Sequence, residues 1–550
     1  MQDAVSSATP INHASKSNLA SRVRLAALPL TDWIGAVLSA ALLILAFPNF
    51  ELWPLAPVGL VPLLLVVAVR PHPWRSFLLG WLTGTVFFYG SCHWLTFSMV
   101  NYGGIPQWLA YILLLPIPLL VGLFPATFAL VLARAVNRWG LATILAAPFV
   151  WVALEWARLG VTGQLWNALG YSQAYHPSLI QSAHWGGVYV VGFFLLAINA
   201  AIAFLILKRT RGAAVIAGVI LIAVWSIGVG QKTEEIRRVR TPPEAIVVAL
   251  QPNVPMDLIK STAEMQALLD RHVTMTEEAI KTLPDDGTPR LVVWPESPMN
   301  FAYGTDAKLR ELLVDFATRN KTSVLFNSQE PAPNDGIYNS ALFINPEGRL
   351  IAQYDKIRLL PFGEYVPLPR WMPGANLITA IVGDFTPGDK FTLMPVGQAR
   401  AGVFICVESA YPFIVRNLSN EGADVLINIS NDGYLGPTAV MRQHLANAIF
   451  RAVENDRPIM RVTNSGISAY IERSGNVTDA TGGFQTAVRT WEISRNTRPQ
   501  TFYSRYGDVF AGFCAVISLL MFVSTLRNRA KTVRGKDDRN FINTGFANFL

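Results

Sequence analysis

Long apolar segments fill residues 31–230 and recur at 508–526, whereas residues 231–507 carry dispersed charges like a soluble domain. A helix needs about 20 mainly apolar residues to cross the hydrocarbon core of a bilayer. The pattern predicts a polytopic α-helical membrane domain with about eight spans, at 31–48, 54–69, 76–95, 107–133, 140–157, 185–207, 213–230 and 508–526. The segment 54–69 is short, and it could be re-entrant instead.

Composition excludes the main alternatives to a membrane protein. Hydrophobic residues make up 51% of the 550 residues and charged residues only 15%, against about 25% charged residues in soluble proteins. The three cysteines are too few for a disulfide framework. A net charge of +8 indicates basic cytoplasmic loops rather than a nucleic-acid surface, so we expect no nucleic-acid partner.

Lys and Arg cluster in alternate loops of the predicted membrane domain. They precede the first span and follow the second, fourth, sixth and eighth, whereas loops 49–53 and 96–106 contain none. Because cytoplasmic loops carry the excess of basic residues, we expect both termini in the cytoplasm and the soluble region on the opposite side. The predicted parts are an N-terminal lead at 1–30, the membrane domain at 31–230, the soluble domain at 231–507, the eighth span at 508–526 and a tail at 527–550.

The soluble region alternates short Val- and Ile-rich runs with helical patterns. Runs of this kind bounded by turn residues predict strands, and the mixture predicts a layered α/β domain with helices outside sheets. The predicted strands are 245–251, 290–294, 322–327, 338–344, 350–354, 401–406, 423–429, 458–463 and 466–472. The predicted helices are 261–281, 305–320, 409–419 and 437–454.

Residues 359–390 fit neither pattern. They are rich in Pro and Gly, yet they carry large apolar side chains. Loops longer than about 12–15 residues are usually functional or disordered, and this one is too apolar for simple disorder. We predict a lid or membrane-facing flap, the alternative being a loop that packs on its own domain. The side chains expected to contact lipid or an acyl chain are Trp371, Met372, Ile378 and Ile381.

Familiar nucleophile, phosphate-binding and metal-binding motifs do not occur in the sequence. The seven histidines have no ligand spacing, and His272 is expected on a helix surface. We therefore expect neither a metal nor a cofactor. Cys92 and Cys514 lie within apolar runs, where an inert buried thiol is the simplest interpretation.

Cys406 differs because it ends a predicted strand and precedes a helix. Partial exposure and nearby helix amides at such a turn favour the thiolate. Glu296 and Lys356 also follow predicted strands, and α/β domains place sites at the carboxyl ends of strands. A cysteine nucleophile needs a base and a stabilised oxyanion. Glu296 can provide the first, and Lys356 with the Val407 amide the second, although each residue alone is more often structural.

Three strings around these residues resemble the Glu–Lys–Cys triad of the nitrilase superfamily. They are WPES, YDKIRLLPFGEYVP and GVFICVES, in this order along the chain. NISNDGYLG at 428–436 and the segment 443–468 extend the match. With ALEWARLGVTGQLWNALGYSQ at 153–173, SRYGD at 504–508 and membrane spans on both sides, the chain resembles the bacterial apolipoprotein N-acyltransferase family over about residues 31–526.

The resemblance implies an α-β-β-α sandwich for the soluble domain and a role for each matching residue. Glu296 corresponds to the general base, Lys356 to the oxyanion-stabilising lysine and Cys406 to the nucleophile. Glu364 and Glu408 correspond to two further essential glutamates that support the site. The chain departs from the pattern in three places, since Val407 and Lys260 replace aromatic residues and Tyr434 replaces a frequent tryptophan.

The resemblance also implies the reaction and its partners. A fatty acyl chain would pass from a phosphatidylethanolamine-like phospholipid to a cysteine thioester, and then to the α-amine of S-diacylglyceryl-cysteine in an apolipoprotein. The enzyme would lie in the bacterial inner membrane, with a periplasmic catalytic domain and cytoplasmic termini. Both substrates are anchored in the bilayer, which explains why a nitrilase-like domain is inserted between membrane spans.

Two other classes of function remain open at the level of the sequence. A membrane-tethered amidase or nitrilase that hydrolyses small amides would share the triad, but it would need neither eight spans nor an apolar flap. A transporter or scaffold would need intramembrane charges along a path. Glu155 and Arg158 are the candidates for such charges, and a helix-surface ion pair or a lipid headgroup contact explains them more simply.

Overall fold

The computed structural model describes residues 29–229, 243–256, 260–366 and 384–526. The predicted lead, the tail and the four proposed lid residues Trp371, Met372, Ile378 and Ile381 lie outside these ranges. Helices of the apolar part are α1 Leu30–Ala46, α2 Val61–Val69, α3 Pro73–Cys92, α4 Thr96–Asn101, α5 Gln107–Leu114, α6 Pro116–Val121, α7 Leu123–Trp139, α8 Ala147–Thr162, α9 Pro177–Ile180, α10 Ala183–Gly186, α11 Val188–Lys208 and α12 Arg211–Val229. In the soluble part they are α13 Thr262–Lys281, α14 Ala307–Asn320, α15 Pro412–Asn420 and α16 Val440–Asn455, followed by α17 Phe502–Tyr506 and α18 Val509–Leu526.

Within the described ranges, four helices are long and apolar enough to cross a membrane. They are Gln107–Trp139, Leu141–Thr162, Val188–Lys208 and Val509–Leu526, and the shorter apolar helices are Leu30–Ala46 and Arg211–Val224. A polytopic helical membrane domain is therefore present, whereas a count of eight spans is not confirmed. Helix α2, in the second predicted span, has nine residues, which is about 14 Å of helix against a hydrocarbon core of about 30 Å.

The irregular backbone before α2 is satisfied from within the bundle. Asn199, fully buried on α11, accepts a hydrogen bond from the Leu60 amide at 2.8 Å and donates one to the Ala56 carbonyl at 2.9 Å. Non-helical backbone at membrane depth is tolerated only where protein or water satisfies its polar groups. These contacts favour the re-entrant interpretation of residues 54–69.

Small residues bring two helices of the bundle into close contact. A Cβ atom added at Gly80 of α3 would lie 2.8 Å from the Ala129 side chain, and one at Gly84 would lie 2.8 Å from that of Pro125. Gly80 and Gly84 are one helical turn apart, which is the small-xxx-small arrangement that lets membrane helices approach closely. Helices α3 and α7 therefore pack backbone against backbone.

The soluble part contains two six-stranded sheets. The strands are β1 Ala245–Gln251, β2 Arg290–Val293, β3 Ser323–Pro331, β4 Ile337–Ile344, β5 Leu350–Asp355, β6 Leu393–Val396, β7 Ala399–Ile405, β8 Val425–Ser430, β9 Ile459–Thr463, β10 Ala469–Ile471, β11 Val477–Thr478 and β12 Ala487–Ile493. The first sheet has the order β12-β1-β2-β3-β4-β5 and the second β11-β10-β9-β8-β7-β6. All nine predicted strands are present, eight of them with shifted ends, and β6, β11 and β12 were not predicted.

Three buried layers hold the soluble part together. One core lies between the sheets, and a second lies between the first sheet and helices α13 and α14. The third lies on the outer face of the second sheet under α15 and α16, and it continues without a break into the membrane helices. The predicted α-β-β-α sandwich is therefore present, and its second helical layer forms the contact with the membrane domain.

The predicted surface position of His272 is wrong. The residue is fully buried on the face of α13 that packs on the first sheet, where its ring lies 5.3 Å from Trp294 and 6.4 Å from Phe301. Burial lowers the pKa of His272 to about 4. The imidazole is therefore neutral at physiological pH and behaves as a core aromatic residue.

Candidate active site

The three residues proposed as a triad lie together where three strands end. Glu296 follows β2, Lys356 follows β5 and Cys406 follows β7. The Lys356 Nζ lies 3.4 Å from Glu296 Oε1. The charges of Glu296 and Lys356 both act on the Cys406 thiol. Two sheets thus deliver a carboxylate, an ammonium group and a thiol to one place.

Lys356 lies at the centre of this cluster and is 1% exposed. Besides Glu296, it donates to Glu364 Oε1 at 2.8 Å. Burial alone would lower the pKa of Lys356, but Glu296 and Glu364 outweigh that effect and hold it well above the ordinary value. A fixed positive charge therefore lies beside the thiol at every pH of physiological interest.

Asn339 links the two carboxylates and was missed in the sequence. Its Nδ2 donates to Glu296 Oε1 at 3.0 Å and to Glu364 Oε1 at 2.6 Å. The Leu360 amide donates to Glu364 Oε2 at 2.7 Å, and the Asn431 amide donates to Glu296 Oε2 at 3.1 Å. The only signal in the sequence is a polar residue at an inward position of predicted strand 338–344. Each carboxylate is thereby held in one orientation.

Cys406 has a left-handed backbone conformation, with φ of 52°. A non-glycine residue in such a conformation costs on the order of 1–3 kcal/mol and persists only when its surroundings enforce it. Hydrogen bonds hold both sides of the residue. The Ile405 amide donates to Glu408 Oε2 at 2.7 Å, and the Cys406 carbonyl lies 2.9 Å from His444 Nε2.

Cys406 is partly exposed, as predicted, but its surroundings do not favour the thiolate. Burial and the nearby Glu296 charge raise the pKa of the thiol far above its ordinary value, although Lys356 acts in the opposite direction. The predicted helix also starts later than expected, since a short 3₁₀ turn at Cys406–Ala410 follows β7 and α15 begins only at Pro412. The amides of a long helix therefore do not face the sulfur. The resting thiol carries its proton, so a base must remove it.

Glu408 ties strand β7, which precedes Cys406, to strand β5, which precedes Lys356. It is fully buried, and its oxygens accept hydrogen bonds from the Ile405 amide at 2.7 Å, the Ile357 amide at 2.8 Å and the Arg358 amide at 3.1 Å. The Tyr354 hydroxyl adds a contact at 2.9 Å. Burial raises the pKa of Glu408 to about 7, against the opposing effect of these donors. Its position suits a structural role, since it contacts backbone beside both Lys356 and Cys406.

A buried polar cluster that was not predicted from the sequence lies behind Cys406. His444 lies on α16 with Nδ1 2.8 Å from Asp432 Oδ1, and Arg461 Nη2 donates to Asp432 Oδ2 at 2.8 Å. Burial opposes ionisation of Asp432, but Arg461 and His444 hold its pKa well below the usual range. The spacing of the histidines gave no sign of this cluster, because its members come from three different elements.

The site lies directly on the membrane helices. Gln443, next to His444, accepts hydrogen bonds from the indole nitrogens of Trp94 at 3.0 Å and Trp166 at 2.9 Å. Its own amide donates to the carbonyls of Pro48 and Ser91 at 2.8 and 2.9 Å. One fully bonded glutamine thus joins helix α16, behind Cys406, to three segments of the bundle.

A second contact joins the bundle to the loop that holds Glu296. Ser98 of α4 donates to the Tyr434 carbonyl, and the Tyr102 ring stacks on the Tyr434 ring at 5.3 Å. Asn431, whose amide binds Glu296, lies three residues earlier on the same loop. The membrane domain therefore supports the loop that binds Glu296 as well as the layer behind Cys406.

Glu155 and Arg158 do not form the surface ion pair or headgroup contact expected of them. They are 6% and 4% exposed inside the bundle. Glu155 Oε1 accepts from the Leu169 amide at 2.8 Å, and Arg158 donates to the Trp166 carbonyl at 2.7 Å. They hold the loop between α8 and α9, since buried backbone polar groups need hydrogen-bond partners. Cys514 is fully buried in α18, and Cys92 is partly buried at the end of α3.

Within the described ranges, no group of three or more His, Cys, Asp or Glu residues could hold a metal ion. The side chains described above bring a thiol, an ammonium group and two carboxylates to this place. Acyl transfer through a cysteine requires a base and a stabilised oxyanion, and it needs no further chemical group.

Comparison with known proteins covers both parts of the chain. Residues 39–201 match the apolipoprotein N-acyltransferase N-terminal domain, and residues 247–501 match the carbon–nitrogen hydrolase domain. Among solved structures, Nit3 of Saccharomyces cerevisiae, a nitrilase-superfamily member, is 18% identical, with a TM-score of 0.35 over 46% of this chain and 90% of Nit3.

Curated relatives match almost end to end. The apolipoprotein N-acyltransferase of Geobacter metallireducens is 33% identical over 90% of this chain and 96% of its own length. That of Azotobacter vinelandii is 32% identical over 84% of this chain and 88% of its own length, and that of Brucella melitensis 29% over 81% and 86%. The chain belongs to the apolipoprotein N-acyltransferase family.

Proposed function

We propose that this protein is a phospholipid:apolipoprotein N-acyltransferase that works through a thioester on Cys406. One observation carries the proposal: the cluster of Glu296, Lys356 and Cys406 lies on an apolar helical bundle and shares its buried core. A site that faced only soluble substrates would have no need of this support. The acyl donor is a phosphatidylethanolamine-like phospholipid, and the acceptor is a diacylglyceryl apolipoprotein.

In the first half-reaction, Glu296 takes the thiol proton while the sulfur of Cys406 attacks the ester carbonyl carbon of the phospholipid. Negative charge develops on the carbonyl oxygen, where the Lys356 ammonium group and the Val407 amide stabilise it. The intermediate then collapses. The carbon–oxygen bond to the lysophospholipid breaks, the leaving oxygen takes the proton from Glu296, and a thioester remains.

In the second half-reaction, the α-amine of the diacylglyceryl cysteine attacks the thioester carbonyl. Glu296 accepts a proton from the amine, and the same two groups stabilise the oxyanion. The carbon–sulfur bond breaks as the amide forms, and the sulfur recovers its proton from Glu296. The product is a triacylated lipoprotein, and the enzyme returns to its starting state.

Glu364 and Glu408 are positioning residues in this scheme. Glu364 holds the Lys356 ammonium group at 2.8 Å, closer than Glu296 does at 3.4 Å. Glu408 holds the backbone on either side of the lysine and the cysteine. Neither needs to contact substrate, because both act by keeping a reacting group in place.

We also propose where the reaction occurs. The basic-loop pattern favours a periplasmic catalytic domain above the inner membrane, with both termini in the cytoplasm. Trp371, Met372, Ile378 and Ile381 belong to a long apolar segment between two parts of the site, which suits a lid that contacts acyl chains. Reporter fusions near residue 400 and after residue 530 would test the topology, and a cytoplasmic signal from the first would contradict it.

The decisive experiment incubates the purified protein with phospholipid alone and measures its mass. A fatty acyl adduct on Cys406, removable by neutral hydroxylamine, is expected in the wild type and absent from Cys406→Ala. Cys514→Ser is the matched control and should keep the adduct. Addition of a diacylglyceryl peptide should then discharge the adduct as an amide. An adduct on another residue, or release of free fatty acid unaffected by the peptide, would favour a membrane-tethered amidase instead.

A further inference from the structure

The imidazole of His444 contacts the backbone of the nucleophile rather than its sulfur. His444 is 3% exposed, and its Nε2 lies 2.9 Å from the Cys406 carbonyl oxygen. A carbonyl oxygen only accepts hydrogen bonds. Nε2 must therefore carry a hydrogen that points at this carbonyl.

The surroundings leave the ring one orientation. Asp432 Oδ1 lies 2.8 Å from Nδ1, and Arg461 Nη2 lies 3.1 Å from the same nitrogen while it also binds Asp432. Arg461 is itself anchored by Asn428 of β8. The Trp166 ring from the membrane domain lies 5.7 Å from the imidazole. Groups from β8, β9 and the bundle thus fix the direction of the Nε2 hydrogen.

The Cys406 carbonyl belongs to the same planar peptide group as the Val407 N–H. In a trans peptide the two bonds point in opposite directions, so a hydrogen bond that fixes the oxygen also fixes the amide hydrogen. This hydrogen bond helps to hold the peptide in place, because Cys406 has a left-handed backbone conformation with φ of 52°. Such a conformation is not preferred by a cysteine, so the peptide needs a partner to remain as it is.

Hydrogen bonding to the carbonyl has a second effect on this peptide. Chains of hydrogen bonds polarise one another, so a donor on the carbonyl oxygen makes the amide of the same peptide a stronger donor. His444 is thus suited both to aim the Val407 amide and to strengthen it. No contact between the imidazole and a reacting atom is required.

We propose that His444 is a positioning residue that orients the Cys406–Val407 peptide, so that the Val407 amide faces the oxyanion during acyl transfer. The proposal rests on the function proposed above in one respect, the use of that amide as an oxyanion donor. It does not depend on which ester supplies the acyl group. Any acylation of Cys406 develops the same charge.

Two amide substitutions, each of which reproduces one ring nitrogen of His444, separate this role from simple packing. The side-chain amide nitrogen of His444→Gln can occupy the place of Nε2 and donate to the Cys406 carbonyl. The shorter amide of His444→Asn reaches only the place of Nδ1 and keeps the contact with Asp432. His272→Asn is the matched control, since His272 is also fully buried but lies on the far side of the first sheet.

The experiment compares two reactions of Cys406 in the full-length protein. The first is acylation by p-nitrophenyl butyrate, which passes through an oxyanion. Its rate is measured as the release of p-nitrophenolate in a single turnover. Alkylation by iodoacetamide needs the thiol and its base but forms no oxyanion. For His444→Asn we expect acylation to slow by about 10²–10³, the typical effect of losing one oxyanion donor, with alkylation unchanged. His444→Gln should recover most of the acylation rate, and His272→Asn should match the wild type.

Three results would overturn the proposal. In the first, His444→Asn slows acylation and alkylation of Cys406 equally. In the second, His444→Asn is acylated at the rate of the wild type. In the third, His444→Gln is acylated as slowly as His444→Asn. Failure of the proposed function gives a different result. If the wild-type protein reacts with the p-nitrophenyl ester but never with phospholipid, the role of His444 can stand while the acyl donor is not a phospholipid.

Discussion

Replacing Lys356 by methionine perturbs the site most directly, because it removes the charge and keeps the length of the side chain. Lys356 is 1% exposed, and its nitrogen lies 2.8 Å from Glu364 and 3.4 Å from Glu296. The pKa of Lys356 is raised well above its ordinary value, so the ammonium group stabilises the folded state throughout the neutral range. That contribution would be lost only as the pH rises through the raised pKa.

The expected loss of stability follows from the carboxylates of Glu296 and Glu364, which stay buried without a cation in Lys356→Met. Breaking a buried ion pair by removing one partner costs about 3–5 kcal/mol, since the other charge stays buried without compensation. For a domain of this size a loss of 1 kcal/mol lowers the Tm by about 2–4 °C, so we expect Lys356→Met to melt on the order of 10 °C below the wild type. Acylation of Cys406 should fall by about 10²–10³ as well.

The assay is thermal unfolding in detergent at one heating rate, together with the mass of the protein after incubation with phospholipid. Lys308→Met is the matched control, because Lys308 is exposed at the start of α14, and it should change neither quantity. A Lys356→Met protein with the Tm of the wild type would show that the cluster is not a buried ion pair. An unchanged adduct rate would show that Lys356 does not stabilise the oxyanion.

Three further predictions concern groups around the triad. Glu408→Gln turns an amide NH₂ towards backbone donors at Ile405 or Ile357, so we expect a loss of about 1–3 kcal/mol in thermal unfolding and slower formation of the adduct; a fully active variant would contradict the positioning role. Gln443→Leu leaves the indole nitrogens of Trp94 and Trp166 without this acceptor, and we expect faster proteolysis between the two domains, whereas equal protease resistance would mean that the apolar core alone holds them. His272, with a folded pKa of about 4, binds fewer protons than in the unfolded chain, so stability should fall by about 3 kcal/mol as the pH drops from about 6.5 to 4; His272→Phe should lack this part of the pH dependence of Tm, and an identical dependence in both proteins would refute the assignment.

Much of the architecture is readable from local patterns. The nine predicted strands and four soluble helices are present because alternating burial and turn residues leave a periodic trace in the chain. Glu296, Lys356 and Cys406 could be selected together, since each follows a strand and occurs within a distinctive string. Strands β6, β11 and β12 were missed because two are short and the third is polar on one side.

Length and hydropathy identify an apolar segment, but they do not show whether its backbone crosses the bilayer as one continuous helix. Residues 54–69 are apolar enough to suggest a crossing, yet the helix there has nine residues and the preceding backbone relies on Asn199. A hydropathy pattern records the solvent that a segment prefers. It does not record which distant side chain will satisfy an interrupted backbone.

Pairings between distant polar residues were decided by the tertiary structure alone. Gln443 bonds to Trp94 across 349 residues of sequence, and His444, Asp432 and Arg461 meet only because α16 crosses behind β8 and β9. The left-handed backbone of Cys406 and its protonated thiol likewise depend on neighbours from other elements. The chemical groups and the elements that carry them can be predicted from the chain alone, because they follow from residue identity and local periodicity. Orientation, pKa and partner choice depend on how those elements pack, and packing is a property of the whole fold.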